Sequence, residues 1–200
     1  MKVLVATNNT GKVERYRKLL RGTDIELFTP SELGIEAVEV EETGETLAEN
    51  ALLKARAYLG KTDLPILAND TGVWVEGEGM VTAPKRMALG NRDERGLSQE
   101  EIALALKDFW KGIAVKHGGS VDAAWPETFV LVLPDGTERL AESRREITLT
   151  DTEFGPLHLT MPLRPLYLSK TTGKPAIQHT VEEEDAELAP VREALLSLLV

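Results

Sequence analysis

Two hundred residues are enough for one full core, in one or two lobes, and too few for two large independent domains, so a single domain over 1–200 is the expectation. The formal charge of −10 excludes a surface built to coat nucleic acid or anionic lipid, and it leaves any polyanionic ligand to a few local cations or a metal. The absence of cysteine excludes disulfides, thiolate metal sites and a Cys nucleophile, and it fits a reducing compartment.

The chain opens with Val3, Leu4, Val5 and Ala6, a continuous apolar run of the kind that fills a strand buried on both faces. It reads as strand rather than as a leader, and no later run reaches membrane-spanning length, so a cytoplasmic protein is expected. The loop "ATNNTGK" follows, then a helix with Val13, Tyr16, Leu19 and Leu20 on one stripe, stopping near Gly22. Thr46 and Glu49 have capping-box spacing and predict a helix over about 47–59. "LPILANDTGVWVEG" reads as a strand ending at Ala68, a polar turn over Asn69–Gly72, and a second strand over Val73–Val75.

Ser98 and Glu101 repeat the capping box ahead of Ile102, Leu106, Phe109 and Trp110, predicting a helix over about 99–111. Two extended runs flank Pro134-Asp135-Gly136-Thr137, which is hairpin chemistry with a proline-led turn. Residues 155–174, with Pro156, Pro162 and Pro165, read as a loop with one short strand near 166–168. Pro190 opens a last helix that packs through Val191, Leu195, Leu196 and Leu199.

Three stretches carry polar residues where chemistry is expected. A Gly-Lys at the start of a helix cradles phosphate, because unpaired N–H groups and the positive helix end point outward there; the same loop also reads as an ordinary turn, and it is not a Walker A sequence. Asn50 and Lys54 share a helix face behind the acidic group Glu39, Glu41, Glu42 and Glu45, which reads equally as a solvated loop. Asn69-Asp70-Thr71-Gly72 falls just beyond a strand, where ligands gather in open α/β sheets and where Asp also serves as a plain turn former. His117, His158 and His179 show no ligand spacing, and there is no nucleophile elbow or Ser-His-Asp order.

Together, "ATNNTGK", "EETGETLAENALLKA" and "LANDTG" resemble, in order and spacing, the inosine-triphosphate pyrophosphatase family over about residues 1–76. The resemblance implies an α/β fold with a long mixed sheet flanked by helices, two lobes around a central cleft, and a homodimer. It implies release of pyrophosphate and a nucleoside monophosphate from non-standard purine triphosphates with Mg2+. It places Thr7, Asn8, Asn9, Thr10, Gly11 and Lys12 at the triphosphate. In that pattern Glu42, Asp70 and Asn69 fall at the metal, Asp70 and Lys54 are the catalytic residues, with Asp70 as the catalytic carboxylate and Lys54 also beside the phosphates, and Thr71 lies at the substrate. No nucleic-acid polymer and no membrane is among the implied partners.

The chain departs from the family pattern mainly beyond residue 76. The first of two adjacent aspartates is Asn69, and the Pro-Gly-hydrophobic-Tyr-Ser-x-Arg stretch becomes "APKRMALG", with Lys85 and Arg86 as the nearest stand-ins. The segment that sandwiches the base is reduced to "PLRPLYL". The Ser-His-Arg segment falls at "LAPVRE", without His, and Glu182, Glu183, Glu184 and Asp185 lie where the family has a lysine. Two other outcomes stay open: a noncatalytic nucleotide-binding protein of the same fold, and a pyrophosphatase for another nucleotide, as in Maf-like proteins.

Overall fold

The computed structural model describes residues 1–81 and 83–200. In chain order the elements are β1 (Lys2–Val5), α1 (Thr10–Leu19), β2 (Glu26–Phe28), α2 (Leu47–Arg56), β3 (Ile66–Thr71), β4 (Val73–Val75), β5 (Gly79–Val81) and α3 (Pro84–Leu89). They continue with α4 (Gln99–Lys116), β6 (Ser120–Val132), β7 (Glu138–Thr150), β8 (Tyr167–Ser169), α5 (Val181–Glu187) and α6 (Ala189–Leu199). The architecture is α/β, with a mixed sheet flanked by helices. By its contacts the chain divides into two compact units, one of residues 1–71, 126–144 and 188–200, the other of 72–125 and 145–187; β6 and β7 run through both.

The first unit is built on alternation within apolar strands. β1 pairs in parallel with β2 and β3, and β3 pairs antiparallel with the second half of β6. Val3, Val5, Leu67, Phe129 and Leu131 pack with Val13, Tyr16 and Leu19 of α1 and with Val191, Leu195 and Leu198 of α6. Leu4, Ile66, Ala68, Val130 and Val132 pack on the other face with Ala51 and Ala55 of α2 and with Tyr58. Successive side chains of one strand therefore enter two different cores, which is why the runs are continuously apolar; each large side chain so buried contributes roughly 1.5–3 kcal/mol.

The second unit holds the β4–β5 hairpin, which pairs through β4 with the first half of β6, and the pairing of β7 with β8. Trp110 and Ala114 of α4 close its core against Val73, Val75, Ala123, Ile147 and Leu149.

Both capping boxes form as expected, at Thr46–Glu49 and Ser98–Glu101. Helix α2 ends at Arg56, three residues short of the expected end, whereas α4 continues to Lys116, where Gly118 and Gly119 take positive φ and stop it. The hairpin turn closes as expected, with Gly136 at φ +85° and the Thr137 N–H donating to Asp135 Oδ1 at 2.8 Å.

One expectation is corrected. Asn69, Asp70 and Thr71 are not a turn but the last residues of β3, in register with Phe129, Thr128 and Glu127. Pairing with β6 holds them extended, so the Asp70 side chain stands off the strand rather than closing a turn, and the chain leaves the strand only at Gly72. The expected strand before Pro134 is also longer than its apolar run, because β6 begins at Ser120 and carries Pro126 within it.

Candidate active site

The site is assembled at the carboxyl ends of β1 and β3, within the first unit. After β1, Asn9 caps α1: its Oδ1 accepts the Lys12 N–H at 3.2 Å, and its own N–H donates to Thr7 Oγ1 at 3.1 Å. A Cβ on Gly11 would lie 3.2 Å from Asn9 Oδ1, so a small residue keeps this cap open. Asn8, Thr10 and Gly11 are exposed, and the first turn of α1 presents its N–H groups and positive dipole end to solvent.

Lys12 turns inward from this helix and donates from Nζ to Asn69 Oδ1 at 2.7 Å. Thr71 Oγ1 donates to the same oxygen at 3.3 Å, while Asn69 Nδ2 donates to the main-chain oxygens of Asp70 and Thr128. Because those main-chain acceptors fix the amide nitrogen, the amide oxygen is the atom offered to Lys12. One residue on, the Asp70 carboxylate accepts Lys54 Nζ at 2.7 Å, and Lys54 is also 3.1 Å from Glu42 Oε1. Asn69 and Asp70 are each only 8% exposed, so their contacts with Lys12 and Lys54 are largely shielded from water, whereas Glu42 meets Lys54 from a half-exposed loop.

Glu42 lies on a loop that α2 holds in place. The Asn50 amide grips Gly44 on both sides, with Gly44 N–H donating to Asn50 Oδ1 at 2.8 Å, and Glu49 accepts the Glu45 and Thr46 N–H groups. A Cβ at Gly44 would fall 2.6 Å from Glu49 Cβ and 2.8 Å from Asn50 Oδ1, so only glycine lets the loop approach α2 this closely. Asn50 thus clamps the loop, rather than projecting beside Lys54.

Two further charged residues lie beside Lys12. Arg15, one turn along α1, forms a forked pair with Glu127, with Nη2 to Oε2 at 2.6 Å, and Glu127 is 1% exposed. The spacing of Lys12 and Arg15 places them on one helix face, a signal available in the sequence. The partner 112 residues away has no local signal. Burial, with repulsion from Lys54 and Arg15 outweighing attraction from Glu127 and Asp70, lowers the Lys12 pKa to about 8.

For a metal, the chemistry of the donor set is the test. Among the described residues no three His, Asp or Glu side chains gather as a ready cluster. The carboxylates of Glu42 and Asp70 are hard oxygen donors that already converge on a single cationic group, while the Asn69 amide oxygen is engaged by Lys12 from α1. That set fits a hard divalent ion that keeps several of its waters.

The remaining candidate positions have other partners. His117 meets Glu78 at 2.8 Å, His158 accepts the Met161 N–H, and His179 lies buried between Thr172 and Glu187, in line with surface or packing roles. Ala189, Pro190 and Val191 form the first turn of α6, with Val191 fully buried, and Arg192 donates from Nε to the Leu19 carbonyl at 3.0 Å. Lys85 pairs with Glu94, and Arg164 with Glu184.

Fold and site together define an α/β protein that gathers lysines and carboxylates at the carboxyl ends of parallel strands, where such sheets bind ligands. The chain belongs to the Ham1 family, whose model matches residues 3–146. It is 34% identical over 158 residues to a dITP/XTP pyrophosphatase of Streptomyces avermitilis, covering 77% of this chain and 74% of that protein. It is 32% identical over 196 residues to one of Frankia alni, covering 93% and 90%. A match at 42% identity to a dITP/XTP pyrophosphatase of Thermoanaerobacter sp. spans 76 residues, 38% of the length of each. Among solved structures, the Staphylococcus aureus Ham1 protein superposes with a TM-score of 0.74 at 21% identity, over 100% of this chain and 98% of that one.

Proposed function

We propose that the chain is a nucleoside-triphosphate pyrophosphatase that releases pyrophosphate and a nucleoside monophosphate from non-standard purine triphosphates, with Mg2+ as its metal. The observation that carries this reading is the convergence of Lys12 on Asn69 and of Lys54 on Asp70 and Glu42, beside the open N-terminus of α1. The names of the curated relatives supply the substrate class.

In this reading Thr7, Asn8, Asn9, Thr10 and Gly11 offer N–H and hydroxyl donors to the phosphate chain, and Lys12 and Lys54 offset its charge. Asp70 takes a proton from the water that attacks the α-phosphorus, the bond to the β-phosphate oxygen breaks, and pyrophosphate leaves. Thr71 supports Asn69 and faces the substrate. Glu42, Asp70 and Asn69 would hold the metal, which when bound supplies a Lewis acid for phosphate oxygens. We further read the chain as one functional domain, cytoplasmic and homodimeric. Support comes from the family, from β6 and β7 running through both units, and from the absence among the described residues of a helix long and apolar enough to cross a membrane.

One observation favours a second reading. Asn69, neutral where the family resemblance expects aspartate, is engaged by Lys12, which removes one charge from the metal site and suits a protein that binds nucleotide without turning it over. A panel of nucleoside triphosphates with Mg2+, assayed for pyrophosphate release, decides between the two: turnover of any member supports the enzyme, and tight binding without release supports the alternative.

A further inference from the structure

Lys54 occupies an unusual position for a phosphate-binding group. Its ammonium is 2.7 Å from Asp70 Oδ1 and 3.1 Å from Glu42 Oε1, so it sits where two carboxylates from different segments aim at one point. Its side chain is 17% exposed and that of Asp70 11%, so the pair is held in a place where water screens little. A divalent ion seeking these same oxygens would lie within a few ångströms of the ammonium, and two positive charges cannot share that space at low dielectric. Glu42, by contrast, is half-exposed on its loop, and Lys54 has a flexible four-carbon stem, so the ammonium has room to leave.

We propose that Lys54 is the resident cation of the Glu42–Asp70 pair and competes with the divalent metal for it, releasing the carboxylates when a phosphate group draws the ammonium away. The inference rests on the metal site of the proposed function and adds an order of events. Free metal ion binds poorly, because it must displace Lys54 with nothing to receive the ammonium. A metal–triphosphate complex binds as a unit, because its phosphate oxygens accept Lys54 as its metal takes the carboxylates. Lys54 therefore couples metal binding to substrate binding and keeps the empty site from filling with metal alone.

The test is Mn2+ binding without nucleotide, followed by the electron paramagnetic resonance signal of the free ion, on folded protein checked by circular dichroism. Lys54→Met should bind Mn2+ about tenfold or more tighter than the wild type, Lys54→Arg should stay at the wild-type value, and adding Asp70→Asn to Lys54→Met should remove the gain. Lys54→Gln carries the same expectation should Lys54→Met fail to fold. Unchanged or weaker Mn2+ binding by the neutral variant, or a gain that survives Asp70→Asn, would overturn the proposal. Pyrophosphate release by the wild type tests the enzymatic reading separately, since its absence would leave the Mn2+ pattern intact.

Discussion

Each unit of the chain holds a cluster of charged residues beneath the surface, and the two are built on opposite rules. In the second unit, Glu187 on α5 receives Arg145 Nη1 at 3.0 Å and the Tyr167 hydroxyl at 3.1 Å on one oxygen, with His179 Nδ1 3.1 Å from the other. Arg145 also stacks over Trp125, and burial followed by the Glu187 charge pushes the Tyr167 pKa up. Arg145, Tyr167 and His179 thus converge on one buried carboxylate. In the first unit, Lys12 has a neutral amide for a partner, and the nearby carboxylates Asp70 and Glu127 are taken up by Lys54 and Arg15, so burial and repulsion lower its pKa. Charge satisfied within the fold serves the fold, whereas charge left poorly matched against its surroundings is held for something that binds.

The largest effect expected from this contrast is on stability in the second unit. Glu187→Ala strips Arg145 and Tyr167 of their shared acceptor and removes the carboxylate beside His179, and it should cost about 3–5 kcal/mol, read as a lower urea midpoint at unchanged m-value. A cost below about 1 kcal/mol would show that this buried carboxylate does not hold the cluster together.

A second expectation concerns the base. By the family resemblance, the segment that reads the purine falls at Ala189, Pro190 and Val191, which carry no polar side chain, and Arg192 donates to the Leu19 carbonyl. Discrimination between inosine and adenosine triphosphates should stay below about a hundredfold in kcat/KM, which is ~2.7 kcal/mol. A larger ratio would mean that other residues rebuild the base pocket.

The smallest effect has the least intuitive sign. The Lys12 pKa is about 8 in the fold against 10.5 in the unfolded chain, so between those values the unfolded state holds more protons and stability rises with pH. Below pH 8 the charged ammonium is a standing cost. Lys12→Met should therefore raise stability near pH 7 by about 1 kcal/mol, after allowance for the partial exposure of the side chain, while weakening nucleotide binding. The gap between variant and wild type should close as pH approaches 10.5. A destabilised Lys12→Met would mean that Asn69 and the carboxylates compensate the charge fully.

How much of this was legible in the sequence follows the range of the forces involved. The two-sided burial of β1 and both capping boxes are written in residues a few positions apart, and they formed as read. The strand character of Asn69, Asp70 and Thr71 was hidden, because these are turn formers by local preference and only the ladder to β6 overrides that. Helix α5 was hidden for a related reason: its acidic run looks solvated, and only Glu187 is buried. The resemblance singled out Lys12, Lys54, Glu42 and Asp70, and the structure pairs Lys54 with both carboxylates and Lys12 with Asn69. The clamp of Asn50 on Gly44 and the Arg15–Glu127 pair depend on contacts that no local pattern encodes.

The central claim is that the lysine and carboxylate cluster of the first unit hydrolyses a nucleoside triphosphate, and Asp70 is the residue on which it turns. Pyrophosphate release from inosine triphosphate with Mg2+ should be measured for the wild type and Asp70→Asn side by side, with thermal melts of both. The account predicts turnover by the wild type and a loss of at least a hundredfold in kcat, ~2.7 kcal/mol, in an Asp70→Asn protein that remains folded. Turnover by folded Asp70→Asn within about threefold of the wild type would contradict it.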